Sequence, residues 1–529
     1  MTGKTRPAVK TDRRGFFRML GSAIAFLSGG AAAAAGDRVF EIHSATANTR
    51  LGALGVRLRS DRDRLSPFKP YPGSRRLELP PVETPRSLPL ADAVRRYAAA
   101  RAFREESLSL AELSRLLYFT NGVTGRLGGG NRVLHLRAAP SAGALYAGEV
   151  YVMAERVRGL APGLYYYAVV DHELVALRSG SLRKEMLRAL ERPAAFENAA
   201  AVVLLTNVFA RYSQRYANRG YRYALIDSGH IGENLRLAAA SAGYGEAAPL
   251  RLHDDALGAL LGVDGREEAV CAAHAVGRAA DAAPEAPAVR SFAEKQRARP
   301  GAVPGRGLAP QLYHEATKLV PSAPVERAAP VPTPTARSGS GVPLPKAGAA
   351  PSAAVERTIS ERRSAEEFFE KPLALGDLGF VLEMAQGHAA LERAPGVELF
   401  VAVHRVQGLD PGLYRYEPGA HRLVLLRAGD LRASMTRACW GMKRAGTAGV
   451  GFAMVGRLAE SAARAGDRSY RDLLLEAGAI GQRIYLAAEA AGLVARNLAA
   501  FLDEEFDAFL GLDGRREAAI HLTVLGHGR

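Results

Sequence analysis

Cysteine is almost missing from this chain: Cys271 and Cys439 are the two thiols in 529 residues. So few imply no disulfide framework, even for an exported protein, and no CxxC pair stands ready for a structural zinc or redox centre. The HExxH spacing of a helical zinc site is absent too. After residue 36 no stretch is long and apolar enough to read as a membrane span. Basic residues never gather into a run with interleaved aromatics. The net charge of +16, from 70 basic against 54 acidic residues, is spread as arginine through an alanine-rich chain, which argues against a nucleic-acid partner. The glycines of 125–130 lack the G-x-G-x-x-G spacing of a dinucleotide fingerprint and read as a mobile loop.

What is present is a repeat. Residues 163–178, GLYYYAVVDHELVALR, return at 412–427 as GLYRYEPGAHRLVLLR, an offset of 249. The same offset carries Leu261-Gly262-Val263-Asp264-Gly265-Arg266 onto Leu510-Gly511-Leu512-Asp513-Gly514-Arg515, and Arg219, Tyr221 and Arg222 onto Arg468, Tyr470 and Arg471. A period this long is a whole domain duplicated, and 529 residues suit two cores better than one.

Thr11-Asp12-Arg13-Arg14-Gly15-Phe16-Phe17, followed by a short apolar stretch and a Gly/Ala run to Gly36, has the layout of a twin-arginine export signal. That layout predicts a periplasmic or exported protein with no membrane span once the signal is removed. The expected organisation is a signal at 1–36, a leader at 37–84, copy one at 85–280, a Pro/Ala-rich linker with a second leader at 281–355, and copy two at 356–529. Tyr313-His314-Glu315-Ala316-Thr317 echoes Ile42-His43-Ser44-Ala45-Thr46, so each copy brings its own leader. The stretch 321–343 is too rich in Pro, Ser and Ala to hold a helix or strand. Helical spacing at 108–117 and 231–242, with short apolar runs at 150–153, 174–177 and 201–206, gives an α+β class.

Pro140-Ser141-Ala142-Gly143-Ala144-Leu145-Tyr146, then Gly163-Leu164-Tyr165, then Arg219-Gly220-Tyr221-Arg222-Tyr223-Ala224 leading to Gly229-His230, resemble the SagB-type dehydrogenases of the FMN-dependent nitroreductase superfamily. Pro67-Phe68-Lys69-Pro70-Tyr71-Pro72 and the Tyr-His-Glu leader fit the same pattern. The resemblance implies two fused nitroreductase-like domains that make the family's homodimer within one chain, a monomer with an internal pseudo-dimer. It also implies FMN in the interface, touched from both sides.

Under that resemblance, Arg362, Arg363 and Ser364 of copy two would grip the phosphate and ribityl chain, because planar guanidinium groups fork onto phosphate oxygens. Copy one has Tyr97-Ala98-Ala99 there. Pro140, Ser141, Ala142 and Gly143 of copy one would face the flavin ring, whereas copy two runs from Arg393-Ala394-Pro395 straight into Gly396. The losses are complementary, so one composite FMN site per chain is expected, with Arg529 as a further phosphate ligand.

Arg215 and Tyr216 occupy the positions of a Lys-Tyr pair that azoline oxidases of the family are similar in using. Arginine keeps its proton, so Arg215 can bind an anion but cannot act as a base. Tyr216 could exchange one. His230 is expected to be a hydrogen-bonding residue of its helix. The implied activity is two-electron hydride transfer on a small organic or peptide substrate, with an unspecified electron donor or acceptor. The competing readings are a flavin-free scaffold that binds a partner and a nitro- or quinone reductase fed by a nicotinamide.

Overall fold

The computed structural model describes residues 37–48, 65–84, 87–128, 133–191, 193–248, 251–280, 292–294, 309–321, 341–345, 351–387, 396–498 and 500–529. The export-signal segment 1–36 and the Arg393–Pro395 stretch fall outside them.

Two seven-stranded sheets carry the duplication. The first contains β1 (Arg76–Glu78), β2 (Gly148–Ala154), β3 (Gly163–Ala168), β4 (Glu173–Ser179), β5 (Ala201–Val208), β6 (Gly245–Ala247) and β7 (Glu268–Gly277). The second contains β8 (Val342–Pro343), β9 (Val397–Val403), β10 (Gly412–Glu417), β11 (Arg422–Ala428), β12 (Val450–Gly456), β13 (Val494–Asn497) and β14 (Ala518–Gly526). Their orders, β1-β4-β3-β2-β5-β7-β6 and β8-β11-β10-β9-β12-β14-β13, are the same pattern seven strands apart. The class is α+β with two fused domains, as the sequence predicts. The first sheet begins at Arg76, upstream of residue 85, because the leader supplies its edge strand.

The Leu-Gly-x-Asp-Gly-Arg repeat is a turn device. Asp264 Oδ1 accepts the backbone N–H groups of Arg266, Glu267 and Glu268, and Asp513 does the same for Arg515, Arg516 and Glu517. Each turn delivers the chain into a long strand buried along its whole length, β7 or β14.

The helices that join the copies are α1 (Asp37–Ala45), α2 (Leu90–Arg96), α3 (Phe209–Tyr216), α4 (Gly220–Ser241), α5 (Ala309–Ala316), α6 (Val355–Glu361), α7 (Leu458–Ala465) and α8 (Ser469–Ala490). The 22-residue helices α4 and α8 are buried almost throughout and pack on each other. They cross at Gly229 and Gly478, where a Cβ on either would lie 2.9 Å from the other's Cα and closer still to a carbonyl of the facing helix. Only glycine allows that approach.

Buried charge clamps the same interface twice. Asp503 of copy two accepts from Arg219 at 2.8 Å and from Arg222 at 2.6 Å, both of copy one. Asp254 of copy one accepts from Arg468 and Arg471 of copy two, each at 2.7 Å. The leaders seal these clamps. Thr46 on one side and Thr317 on the other meet Tyr470 and Tyr221, each at 3.2 Å. Burial opposes ionisation of Asp503, yet Arg219 and Arg222 outweigh it and hold the carboxyl at about 2.

Two expectations need correction. Residues 123–127 are a strand paired antiparallel with 134–137, so Gly125 lies in a hairpin and not in a loop; Gly129 and Gly130 are outside the described residues. Within 321–343, Pro321 ends a strand (Leu319–Pro321) and Val342–Pro343 is β8, which pairs with β11. A Pro-rich segment can join a sheet at its edge, where the missing N–H faces outward.

Candidate active site

Arg362 of copy two comes within hydrogen-bond reach of the carbonyls just ahead of copy one's Pro140–Gly143 loop. Arg362 follows the last residue of α6, where Val355, Glu356, Thr358 and Ile359 turn inward and carry the arginine into the interface. Its Nε donates to the carbonyl of Ala138 at 3.3 Å and its Nη2 to that of Arg137 at 3.4 Å, two to three residues before Pro140. Its guanidinium lies 5.2 Å over the Tyr485 ring. Nη1 is buried and has no protein partner. Arg363 reaches the hairpin of copy one, donating from Nη2 to the carbonyl of Thr124 at 2.9 Å. Ser364 bonds the Tyr485 hydroxyl at 2.9 Å.

On the facing wall, the Pro140–Gly143 loop turns sharply. Gly143 has φ +62°, and a Cβ there would collide with the Tyr216 hydroxyl. Tyr216 therefore sits against the loop, with Arg215 alongside, its guanidinium 5.9 Å from the Tyr216 ring. Ser141 Oγ accepts the Tyr146 N–H at 2.9 Å and bonds the Tyr212 hydroxyl at 2.7 Å. Tyr212 donates to Asp227 through a short hydrogen bond, and Asp227 also accepts the Ala142 N–H at 3.3 Å. Burial raises the Asp227 carboxyl to about 7, with Tyr212, Ser141 and the Ala142 N–H opposing. The Pro67-Phe68 leader is fastened here too: Arg137 donates to the Pro67 carbonyl at 2.9 Å and lies over the rings of Tyr146 and Phe68.

His230, one turn beyond Asp227, bonds Asn497 across the interface at 2.9 Å, and the Asn497 N–H reaches Tyr485 at 2.9 Å. Burial, then His521 and Arg362, push the His230 pKa down, so it stays neutral. Arg529 is tied by its backbone to Glu366 and Glu367, just beyond Ser364, but its side chain turns away from the ring loop. It pairs with Glu367 at 3.0 Å, and its side chain is 75% exposed.

The pseudo-symmetric position has its roles exchanged. Tyr97 caps α2 as Arg362 caps α6, and Arg236 stands where the offset of 249 puts Tyr485. The stack survives with its members inverted, the Arg236 guanidinium 5.0 Å over Tyr97. Arg236 pairs with Glu233 at 2.5 Å and Glu246 at 3.4 Å. Glu246 also accepts from Tyr97 at 2.8 Å and bonds His274 at 2.6 Å, while Arg483 of copy two pairs with Glu233 at 3.1 Å. Burial opposes ionisation of Glu246, but Arg236 and His274 outweigh it and hold it at about 2. An entering phosphate would face two buried carboxylates instead of an unpartnered guanidinium N–H. Sequence reading missed this closure, the Tyr212–Asp227 pair and Tyr485, although the 249 offset applied to Arg236 would have exposed the exchange.

Among the described residues no group of three or more His, Cys, Asp or Glu could hold a metal, and no helix is long and apolar enough to cross a membrane.

The profile of the nitroreductase family matches residues 94–278 and again 359–527. A protein of Methanocaldococcus jannaschii provisionally named a nitroreductase is 28% identical over 185 residues, 35% of this chain and 88% of its own length. A crystal structure of a protein from Anabaena variabilis, also provisionally named a nitroreductase, superposes with a TM-score of 0.73 at 26% identity. That match covers 93% of this chain and 99% of the other, so a single chain of comparable extent shares the whole two-copy arrangement.

Proposed function

The chain belongs to the nitroreductase family, with two copies of its domain, and from that premise we propose that it is an FMN-dependent oxidoreductase of the SagB type with one composite site. The observation that carries this reading is Arg362: copy two's arginine lies on the carbonyls just before copy one's Pro140–Gly143 loop and keeps one buried N–H without a protein partner. A buried unpaired guanidinium N–H is costly, and a phosphate or ribityl oxygen would satisfy it.

Arg362, Arg363 and Ser364 would hold the phosphate end, and Pro140, Ser141, Ala142 and Gly143 would border the ring. Bound there, FMN supplies two-electron hydride chemistry at its N5 atom. The chain's own part is to orient a small organic or peptide substrate and to move a proton. Arg215 stays charged and binds an anionic or carbonyl group of the substrate, while Tyr216 holds the Gly143 turn and offers a hydroxyl beside it. The mate position, filled by the Arg236–Glu233–Glu246 network, binds no flavin. Internal pairing through α4 and α8 supports one chain as the working unit, and the twin-arginine layout around Arg13-Arg14 supports a site of action beyond the cytoplasmic membrane.

The test is reconstitution of the purified full chain with FMN, followed by binding titration of the wild type and of Arg362→Met. The reading expects a yellow wild-type holoprotein and at least about tenfold weaker binding for the variant, the scale of one lost charge-assisted hydrogen bond. Equal affinity in a folded variant would remove Arg362 from the site.

A further inference from the structure

Arg215 cannot accept a proton, and Tyr216 ordinarily holds its own near neutral pH. A reaction that takes hydride and proton from a substrate therefore needs another acceptor at the ring loop. The described contacts of that loop include one carboxylate, Asp227, which meets the Ala142 N–H and the Tyr212 hydroxyl, and of these only a hydroxyl can hand a proton on toward the ring side.

The geometry of those hydroxyls fixes a direction. Tyr212 has one hydrogen, and it is given to Asp227. The Ser141–Tyr212 bond of 2.7 Å must then be donated by Ser141. Ser141 Oγ already accepts the Tyr146 N–H at 2.9 Å. A hydroxyl oxygen has two lone pairs, so one remains on half-buried Ser141 to receive a proton. Tyr212 and Asp227 are 0% and 5% exposed, which closes a direct route from solvent to the carboxylate.

We propose that Ser141, Tyr212 and Asp227 form a proton relay serving the flavin face, with Asp227 as the terminal acceptor. The proposal rests on the flavin reading above. In the oxidative half-reaction the substrate loses a hydride to FMN and a proton to Ser141 Oγ. Ser141 passes its own proton to Tyr212, Tyr212 passes its own to Asp227, and the carboxylate becomes a carboxylic acid. Two electrons and two hydrogens leave the substrate; the flavin gains the hydride and Asp227 the proton. Reoxidation by a quinone-type acceptor runs the string backward and restores the carboxylate.

The surroundings suit a group that must hold and release a proton. From α3 Asp227 meets Tyr212, from the ring loop the Ala142 N–H, with the Ser141 and Tyr146 hydroxyls near enough to act on it, and from its own helix His230 at 4.0 Å, kept neutral by burial. Arg362 of copy two acts on His230 and Tyr146 rather than on this carboxyl. With no cation pinning it ionised, burial leaves it poised near neutrality. Asp227 acts through other residues and touches no substrate, so it is a positioning and relay residue.

The experiment uses FMN-loaded full chain as wild type, Asp227→Asn and Tyr212→Phe. Flavin content is measured first. The midpoint potential of the bound flavin is then followed against pH by dye equilibration, and reoxidation of the reduced flavin by p-benzoquinone is followed by absorbance. Wild type should take up one extra proton on reduction around pH 7, so its potential falls about twice as steeply with pH there as that of Asp227→Asn. Its reoxidation should slow as pH rises through that range, and Tyr212→Phe, with the carboxyl intact but the string cut, should reoxidise about a hundredfold more slowly with no such dependence. Equal slopes for wild type and Asp227→Asn, or an unchanged rate and pH profile in Tyr212→Phe, would overturn the relay while leaving flavin binding intact. A chain that takes up no FMN would overturn the flavin reading, and the relay with it. If Asp227→Asn does not fold, Tyr212→Phe alone decides.

Discussion

Replacing Asp503 with asparagine removes the carboxylate that answers two fully desolvated guanidinium groups. Arg219 and Arg222 are 3% and 0% exposed, at 2.8 and 2.6 Å from it. Asparagine keeps an acceptor oxygen and the shape but not the charge. Breaking a buried pair by deleting one partner costs about 3–5 kcal/mol, because the surviving charge stays buried. For roughly 400 residues unfolding as one unit at about 2.1 cal/mol/K each, 4 kcal/mol lowers Tm by about 5 °C. Asp254→Asn, its partner under the 249 offset, should cost the same, and the double variant about twice as much. Calorimetry on the full chain measures all three. Asp171→Asn, at an exposed pair with Arg76, is the control and should move Tm by under about 1 °C. The pH dependence follows from the sign of the shift. The folded Asp503 carboxyl is depressed from 3.8 to about 2, so its contribution is complete above pH 3.8 and is lost as pH falls toward 2. A shift under 1 °C in both single variants, or two separate transitions of which one is unaffected, would refute the claim that reciprocal charge clamps weld the copies into one unit.

Gly229→Ala should destabilise the chain by about 1–3 kcal/mol in denaturant titration, since the added Cβ meets the backbone of α8; no loss would mean the helices do not cross there. Gly143→Ala places a methyl against Tyr216 at a φ that suits glycine, and should weaken FMN binding and lower Tm by about 1–4 °C, the scale of about 1–3 kcal/mol of local strain. Glu246→Gln leaves Arg236 and His274 less well answered and should lower Tm by several degrees without raising the flavin content, because the mate position still lacks the Arg362 grip and an intact ring loop.

The duplication was legible because an offset of 249 recurs in unrelated motifs, and two sheets of one topology follow from it. The same offset also relates Asp254 to Asp503, but nothing local marks an aspartate at a helix start as the partner of arginines in the other copy. Arg362–Ser364 and Pro140–Gly143 could be named from residue type and register, and the approach of Arg362 to the Arg137 and Ala138 carbonyls depends on the fused interface that the repeat implies. Tyr212 and Asp227 could not be. They lie on different helices, separated by a turn, and only packing brings a tyrosine hydroxyl onto that carboxylate. The strand at 123–127 escapes a sequence reading because glycines suggest a loop, while its pairing with residues 134–137 decides its structure.

The central claim, one composite flavin site made by two unequal copies, is tested most directly by counting flavin. The purified chain, saturated with FMN, freed of excess and denatured, should release one FMN per chain, identified by chromatography and absorbance. Two per chain would contradict the closed mate position, and none from a folded chain would contradict the site itself.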